Sequence, residues 1–418
     1  MTIETPTQLP SPLLARAFAP WTLGPLPLRN RFIKSATNEG MAPGGVPTRA
    51  LVEHHRAIAA GGVGMTTVAY CAVSADGRTF VDQVTLDEVS LPHLRALTDA
   101  VHREGAAICA QITHGGAFNF LPELSTGSPL SASGGFNAPG VLSGRLFKAA
   151  MGAEDLARVG DEFAAAARLA QRAGFDAVEI HMGHGYLLSQ FLSPKYNRRR
   201  DAWGGDALRR TRFPVQVLSK VLDAVGDRMA VQAKLSSFEG FKGGGTVDDA
   251  VVACRAMADA GAHLLVLSAG MNVESPWTIF GSRMPKNVRG EGGGLVTRFA
   301  NRWLELMQPD LEFSELYLME AARSIRQRVA APLAYLGGVT SVQGIETAMQ
   351  GGFDAVVLGR ALIHDAAFLD KIRRGMLQRS ACDACNHCVS MMYTAAGTHC
   401  VMTAQPDVDL NRQPAARI

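Results

Sequence analysis

Net charge is nearly absent from this chain: 41 lysines and arginines stand against 38 aspartates and glutamates, a balance of +3. So small an excess gives no field for drawing in nucleic acid or an anionic membrane. No stretch interleaves aromatic with basic residues as a nucleic-acid surface does. Long apolar runs are missing too; none approaches the roughly 18 residues that a membrane-spanning helix needs. The N-terminus carries Glu4, Pro6, Pro10, Pro12 and Pro20 but no basic segment followed by an apolar one, so it does not read as a secretory leader. Residues 1–20 read as a loose arm, and a cytoplasmic protein is the expectation. Neither G-x-G-x-x-G after a strand nor a Walker A loop occurs, which leaves a Rossmann dinucleotide site unsupported.

A disulfide framework is also missing. The chain has seven cysteines, an odd number. Cys71, Cys109 and Cys254 sit singly in apolar surroundings and read as small core residues. Cys382, Cys385, Cys388 and Cys400 are bunched near the C-terminus, which suits reduced, metal-binding thiols better than structural bridges.

What is present is ordinary globular material, 47% hydrophobic and 19% charged over 418 residues. One pattern recurs in it: a helix-like stretch ends in glycine and a short apolar run follows. It appears as AGGVGMTTVAY (60–70), REGAAICAQI (103–112), RAGFDAVEI (172–180), DAGAHLLVLS (259–268) and QGGFDAVVLG (350–359). Glycine supplies the left-handed conformation that ends a helix, and apolar runs without polar alternation suit strands buried on both faces. RFIKSA (31–36), MAVQAKL (229–235) and PLAYLG (332–337) fit the same spacing. Helices are predicted over 48–60, 91–103, 154–173, 208–225, 246–260 and 314–329. Eight strand–helix units predict a closed, parallel (β/α)₈ TIM barrel over residues 21–375. Long loops follow the third strand (113–153) and the sixth (269–313), and residues 376–418 read as a cysteine-containing extension packed on the barrel.

Several strand ends carry chemistry. In VEIHMGHGYLLSQFLSP (178–194), His181, His184 and Tyr186 fall within six residues of a glycine-broken turn. A metal site is one reading, though no carboxylate stands nearby and H-E-x-x-H is absent. Backbone-bonded structural histidines are another. In the third, neutral imidazoles stabilise charge developing on a carbonyl oxygen, and the phenol, with an ordinary pKa of about 10, donates a proton. Gln111 ends strand three with an amide able to match an imide edge. Lys234 lies inside an apolar strand, where a lysine needs a partner. Gly337, Gly338, Gly359 and Arg360 follow the last two strands, where a barrel commonly binds phosphate.

The stretch from Val178 to Gly205 closely resembles the signature of the Old Yellow Enzyme family of FMN-dependent NAD(P)H oxidoreductases. LPLRNRFIKSATNEGM (26–41), QITHGG (111–116) and GGFDAVVLGR (351–360) resemble that family's other blocks, in its order. The likeness covers roughly residues 13 to 400. It implies FMN across the C-terminal mouth of the barrel. Hydride would pass from NADPH or NADH to the flavin, then from flavin N5 to the β-carbon of an activated alkene. By the resemblance, His181 and His184 grip the substrate carbonyl and Tyr186 protonates the α-carbon. Gln111 meets the flavin pyrimidine edge, Lys234 stands near N1 and O2 in place of the usual arginine, and Gly337, Gly338, Gly359 and Arg360 hold the phosphate. Ala36 and Thr37 border the flavin. Asn38 replaces the Thr or Cys of well-known relatives, and Tyr70 stands where many have a small residue, its backbone being the expected contact.

The C-x2-C-x2-C-x11-C run resembles the [4Fe–4S] motif of the 2,4-dienoyl-CoA reductases and trimethylamine dehydrogenase. Cluster, structural zinc and metal-free thiols stay open at this stage. The function expected is an ene-reductase acting on a small activated alkene, with no nucleic-acid or membrane partner and self-association left open. The alternatives are an iron–sulfur flavoprotein of the dienoyl-CoA-reductase or demethylase kind, a flavin electron carrier, and a metal-dependent barrel hydrolase.

Overall fold

The computed structural model describes residues 11–286, 295–403 and 406–415. Eight parallel strands close into a barrel in strict chain order. They are β1 (Phe32–Lys34), β2 (Met65–Ala72), β3 (Ala107–Thr113), β4 (Ala177–Met182), β5 (Ala230–Ser236), β6 (Leu264–Ser268), β7 (Leu333–Leu336) and β8 (Ala355–Leu358). The main helices between and after them are α1 (Arg49–Ala60), α2 (Leu91–Arg103), α3 (Ala153–Arg172), α4 (Arg212–Val225), α5 (Val247–Asp259), α6 (Met319–Arg326), α7 (Val342–Gln350) and α8 (Phe368–Arg373). Two starts are set by side-chain caps: Thr48 accepts the Leu51 N–H ahead of α1, and Thr246 forms a capping box with Asp249 ahead of α5.

The inward-facing residues change character along the barrel. At the bottom they are apolar: Ile33, Met65, Cys109, Ala177, Ala230, Leu264, Ala334 and Ala355 pack as one cluster, which Leu23 and Leu28 of an N-terminal hairpin plug from below. Because side chains alternate with period two, the next inward positions lie one layer up. There the chain supplies Gln111, Glu179 and Gln232, paired in register. His181 and Lys234, also paired, stand above them at the C-terminal mouth. The barrel is thus sealed and dry at one end and polar at the other.

Several elements differ from the sequence-based expectation. The helix predicted over 314–329 begins only at Met319, because Leu316 adopts a left-handed φ of 64° and Glu315 is turned away to accept the Thr340 and Ser341 N–H groups. The long 113–153 connection holds a small sheet (Leu130–Ser131, Gly135–Phe136, Phe147–Ala150), and the 269–313 connection holds two helices, Pro276–Phe280 and Leu295–Met307. Within the N-terminal arm, Pro12–Phe18 is a helix capped by Ser11, with Leu14 and Ala17 buried; residues 1–10 lie outside the described part. Cys71, Cys109 and Cys254 are buried and unpaired, as small core residues should be. Among the described residues no helix is long and apolar enough to cross a membrane.

Candidate active site

The C-terminal mouth opens into a cavity of about 490 Å³, continuous with a second of about 110 Å³. Ala36, Thr37, His184, Lys234 and Arg360 line both. Asn38, Tyr70, Gln111, His181 and Tyr186 line the larger one; Gly338 and Gly359 line the smaller. Of the expected flavin contacts only Gly337 borders neither. Its carbonyl accepts the Tyr335 hydroxyl at 3.0 Å, and a Cβ there would meet that hydroxyl and Leu318. This glycine answers to packing.

Lys234 has the partner its burial demands. Its Nζ donates to Ser35 Oγ at 3.1 Å and lies 3.6 Å from Glu179, a carboxylate that also accepts from Gln111 (2.6 Å) and Gln232 (2.8 Å). Glu179 went unremarked in the sequence, although a carboxylate inside VEI is as anomalous as the lysine in QAKL. It orients Gln111 and neutralises Lys234 at once.

A second buried pair stands beside it. Lys34, at the end of β1, donates to Glu39 at 2.5 Å, and both are almost wholly buried. Burial drives the Lys34 pKa down and that of Glu39 up; each partner opposes the other's shift. The free oxygen of Glu39 accepts the Ala69 N–H at 3.2 Å. That N–H is exposed by a bulge in β2: Val68 opposes Ala110 and Cys71 opposes Ile112, so Ala69 and Tyr70 together face Gln111 alone. Both bulged residues consequently line the cavity. The side chain of Tyr70, and not only its backbone, reaches the site.

Between β4 and the following helix (Leu187–Leu192) the chain turns sharply. His184 has a left-handed φ of 61° and Gly185 one of 90°; for a histidine this conformation is uncommon, and such strain collects at functional sites. The turn brings three rings together. His181 lies 4.9 Å from His184 and 4.6 Å from Tyr186, centroid to centroid. The Gly183 N–H donates to His181 Nδ1 at 3.3 Å, which leaves the proton of the neutral ring on Nε2. His184 Nε2 bonds Ser268 Oγ at 2.7 Å. Burial, then the neighbouring charges, hold His181 well below the usual imidazole range and His184 at about 3. Both are therefore neutral at physiological pH. Burial pushes Tyr186 up to about 12, with Tyr70 and Asn272 pulling it partly back.

Segments beyond the barrel close the cavity. Phe80 and Phe118 form an aromatic wall, and Cys388, Met392, Tyr393 and Thr398 reach in from the C-terminal segment. Thr398 ties that segment to the loop after β1 by donating to the Asn38 and Glu39 carbonyls. Arg360 donates to Asn386 Oδ1 and the Phe280 carbonyl, both at 2.6 Å, and lies over the Phe313 ring. Apart from Cys388 and Arg360, none of these residues carries a signal that a sequence reader would recognise.

The four clustered cysteines share one neighbourhood. Cys388 feels the other three electrostatically, and left-handed turns at Ala384 and Asn386 fold the loop. Cys400 Sγ lies 3.3 Å from His364 Nδ1. Among the described residues, however, no three His, Cys, Asp or Glu side chains converge on a point that holds one metal ion.

The site has features that fit FMN. Thr340 Oγ1 is buried without a partner at the small cavity, and the space in front of Gly359 is open. Comparison with known proteins agrees. Residues 16–281 match the NADH:flavin oxidoreductase / NADH oxidase family. The 4,4′-dithiodibutanoate disulfide reductase of Rhodococcus erythropolis is 38% identical over 95% of this chain and 96% of its own length. A probable flavin mononucleotide-dependent alkene reductase of Leishmania infantum is 33% identical over 53% of this chain and 64% of its own. The solved 2-naphthoyl-CoA reductase superposes with a TM-score of 0.75 at 20% identity, over 96% of this chain and 58% of that one. The chain spans about half the length of several other curated relatives. It belongs to the NADH:flavin oxidoreductase / NADH oxidase family, and is an FMN-dependent oxidoreductase built on the Old Yellow Enzyme barrel.

Proposed function

We propose that the protein is an ene-reductase that saturates the C=C bond of α,β-unsaturated carbonyl compounds at the expense of NADPH or NADH. The observation that carries this reading is the meeting of two neutral imidazoles and one protonated phenol in a largely apolar cavity. Bound FMN would supply the two-electron hydride chemistry between a nicotinamide and the alkene. Gln111 is assigned to its pyrimidine edge and Lys234 to the charge that gathers there on reduction. Ala36, Thr37, Asn38 and Tyr70 form the wall beside it, and Gly338, Gly359 and Arg360 are assigned to its phosphate.

The substrate carbonyl oxygen would accept the His181 Nε2–H and a hydrogen bond from His184. Because both rings are neutral, they polarise the carbonyl without surrendering a proton to it. Negative charge building on that oxygen is met by donors already in place, in surroundings that screen little. Tyr186 then gives its proton to the α-carbon. The reading carries with it a small-molecule partner and a cytoplasmic setting.

A disulfide acceptor is the second reading, favoured by the near full-length likeness to the Rhodococcus enzyme. The two separate cleanly. Carbon protonation needs an acid, whereas a departing thiolate, with a thiol pKa near 8.5, does not. Steady-state NADPH and NADH oxidation with cyclohexenone, N-ethylmaleimide and 4,4′-dithiodibutanoate decides. Acceleration by the alkenes supports the first reading; acceleration by the disulfide alone replaces it with the second. Acceleration by none leaves an electron carrier.

The cysteine loop enters this reading as a candidate [4Fe–4S] ligand set, Cys382, Cys385, Cys388 and Cys400, supported by spacing and shared neighbourhood. Iron analysis of protein purified without oxygen tests it. About four irons per chain would support it, and none would leave structural zinc or metal-free thiols.

A further inference from the structure

The structure spends several buried groups on placing Tyr70. In a regular strand only one of Ala69 and Tyr70 would face the cavity; the bulge turns both inward. A bulge leaves backbone groups without ladder partners. Here both are recovered by side chains from elsewhere. Glu39 accepts the Ala69 N–H at 3.2 Å, and Gln83 Nε2 donates to the Tyr70 carbonyl at 2.9 Å. Lys34 in turn balances the Glu39 charge. The Tyr70 ring is held 5.1 Å from that of Tyr186, tilted by 43°, with Phe118 on the other side of Tyr186 at 5.8 Å.

Tyr186 is only 6% exposed. A phenolate formed there would be poorly solvated, and its formation limits any phenol acting as an acid. Of the groups packed around it, Ala69 and Phe118 offer nothing polar to an anion. His181 is committed to the substrate. Tyr70, in ring contact at 5.1 Å, and Asn272 are the polar side chains that pull the Tyr186 pKa down, toward the deprotonated form. The other charged or titratable neighbours are His184, Lys234 and Tyr393, whose influence reaches this corner of the cavity.

We propose that Tyr70 is a positioning residue for the proton donor: its hydroxyl donates a hydrogen bond to the Tyr186 oxygen, aims that phenol and stabilises the phenolate left behind. The inference rests on the ene-reductase reading. In the step itself the Tyr186 O–H bond breaks and a C–H bond forms at the α-carbon, while the O–H electron pair stays on the Tyr186 oxygen. The Tyr70 O–H bond remains intact. A solvent proton restores Tyr186 after the product leaves.

The test is a double-mutant cycle on the FMN-loaded enzyme, measuring reoxidation of the reduced protein by cyclohexenone. Tyr70→Phe alone should slow it about tenfold, the effect of one hydrogen bond. The same change in the Tyr186→Phe background should slow it no further. An equal loss in both backgrounds means that Tyr70 only packs against substrate or flavin, and overturns the proposal. So does a Tyr186→Phe variant as fast as the parent. A second readout is independent of turnover. With a trifluorotyrosine in place of Tyr186, titration of that ring followed by fluorine NMR should move up by about one pH unit on Tyr70→Phe. An unmoved midpoint overturns the proposal. If no alkene reoxidises the parent enzyme, the ene-reductase reading has failed, and the titration still reports on the pair.

Discussion

Acid should weaken this protein through its buried histidines. His54 and His184 are held at about 3 and His114 at about 4, in each case first by burial. In the unfolded chain each returns to about 6.5. Between those values the unfolded state binds more protons than the folded one, so stability falls as pH falls. From pH 7 to pH 5 each group contributes a loss of about 2 kcal/mol, or roughly 6 kcal/mol for the three. Glu239 acts the other way. Burial raises it to about 7, so between its unfolded value near 4.5 and 7 the folded state holds the extra proton. Acidification to pH 5 therefore returns about 2 kcal/mol. His181 and His55 shift in the same direction as the other histidines and Glu39 in the same direction as Glu239. For His54, His114, His184 and Glu239 together the balance is a net loss of roughly 4 kcal/mol, a large part of the 5–15 kcal/mol typical of a folded domain. Urea unfolding of the FMN-loaded protein at pH 7 and pH 5, followed by circular dichroism, measures it. Replacing His114 by Gln should remove about a third of the histidine contribution. Equal or greater stability at pH 5 would show that these rings are not held neutral, and the carbonyl clamp argued above would lose its basis.

Three further outcomes are expected. Tyr186→Phe should slow reoxidation by cyclohexenone on the order of 10²–10⁴, with the loss confined to the alkene half-reaction; stopped-flow comparison with flavin reduction by NADPH checks the split. His181→Ala should weaken binding of a phenolic inhibitor roughly tenfold or more through the lost donor, read by equilibrium titration of the flavin spectrum. Glu39→Ala should destabilise the fold by about 3–5 kcal/mol, because it leaves Lys34 buried without its counter-ion and the bulge without its acceptor; denaturant melts at neutral pH report this.

Much of this arrangement was legible before any coordinates. Short apolar runs located all eight strands, five of them after helix-ending glycines and three by spacing, since strands buried on both faces need no alternation. His181, His184, Tyr186, Gln111 and Lys234 were anomalous at strand ends, and they share one cavity. What stayed hidden depends on geometry that no local pattern encodes. A one-residue bulge changes which side of β2 faces inward, so Tyr70 arrived as a backbone contact and proved to be a side-chain wall. Glu179 and Glu39 are single letters in apolar stretches until cross-strand register shows which lysine each one balances. The approach of Thr398 and Tyr393 to the mouth depends on a return path of some forty residues after the last strand, and Gly337 looked like a phosphate glycine until Tyr335 filled the space beside it.

The central claim is that the cavity delivers hydride to one carbon of an activated alkene and a tyrosine proton to the other. Isotope placement tests it most directly. With cyclohexenone and 4-deuterated nicotinamide in ordinary water, the label should appear at the β-carbon alone. With unlabelled nicotinamide in heavy water, it should appear at the α-carbon, more slowly once Tyr186 is changed to Phe. Cyclohexenone recovered unreduced, or label from solvent at both carbons, would contradict the account.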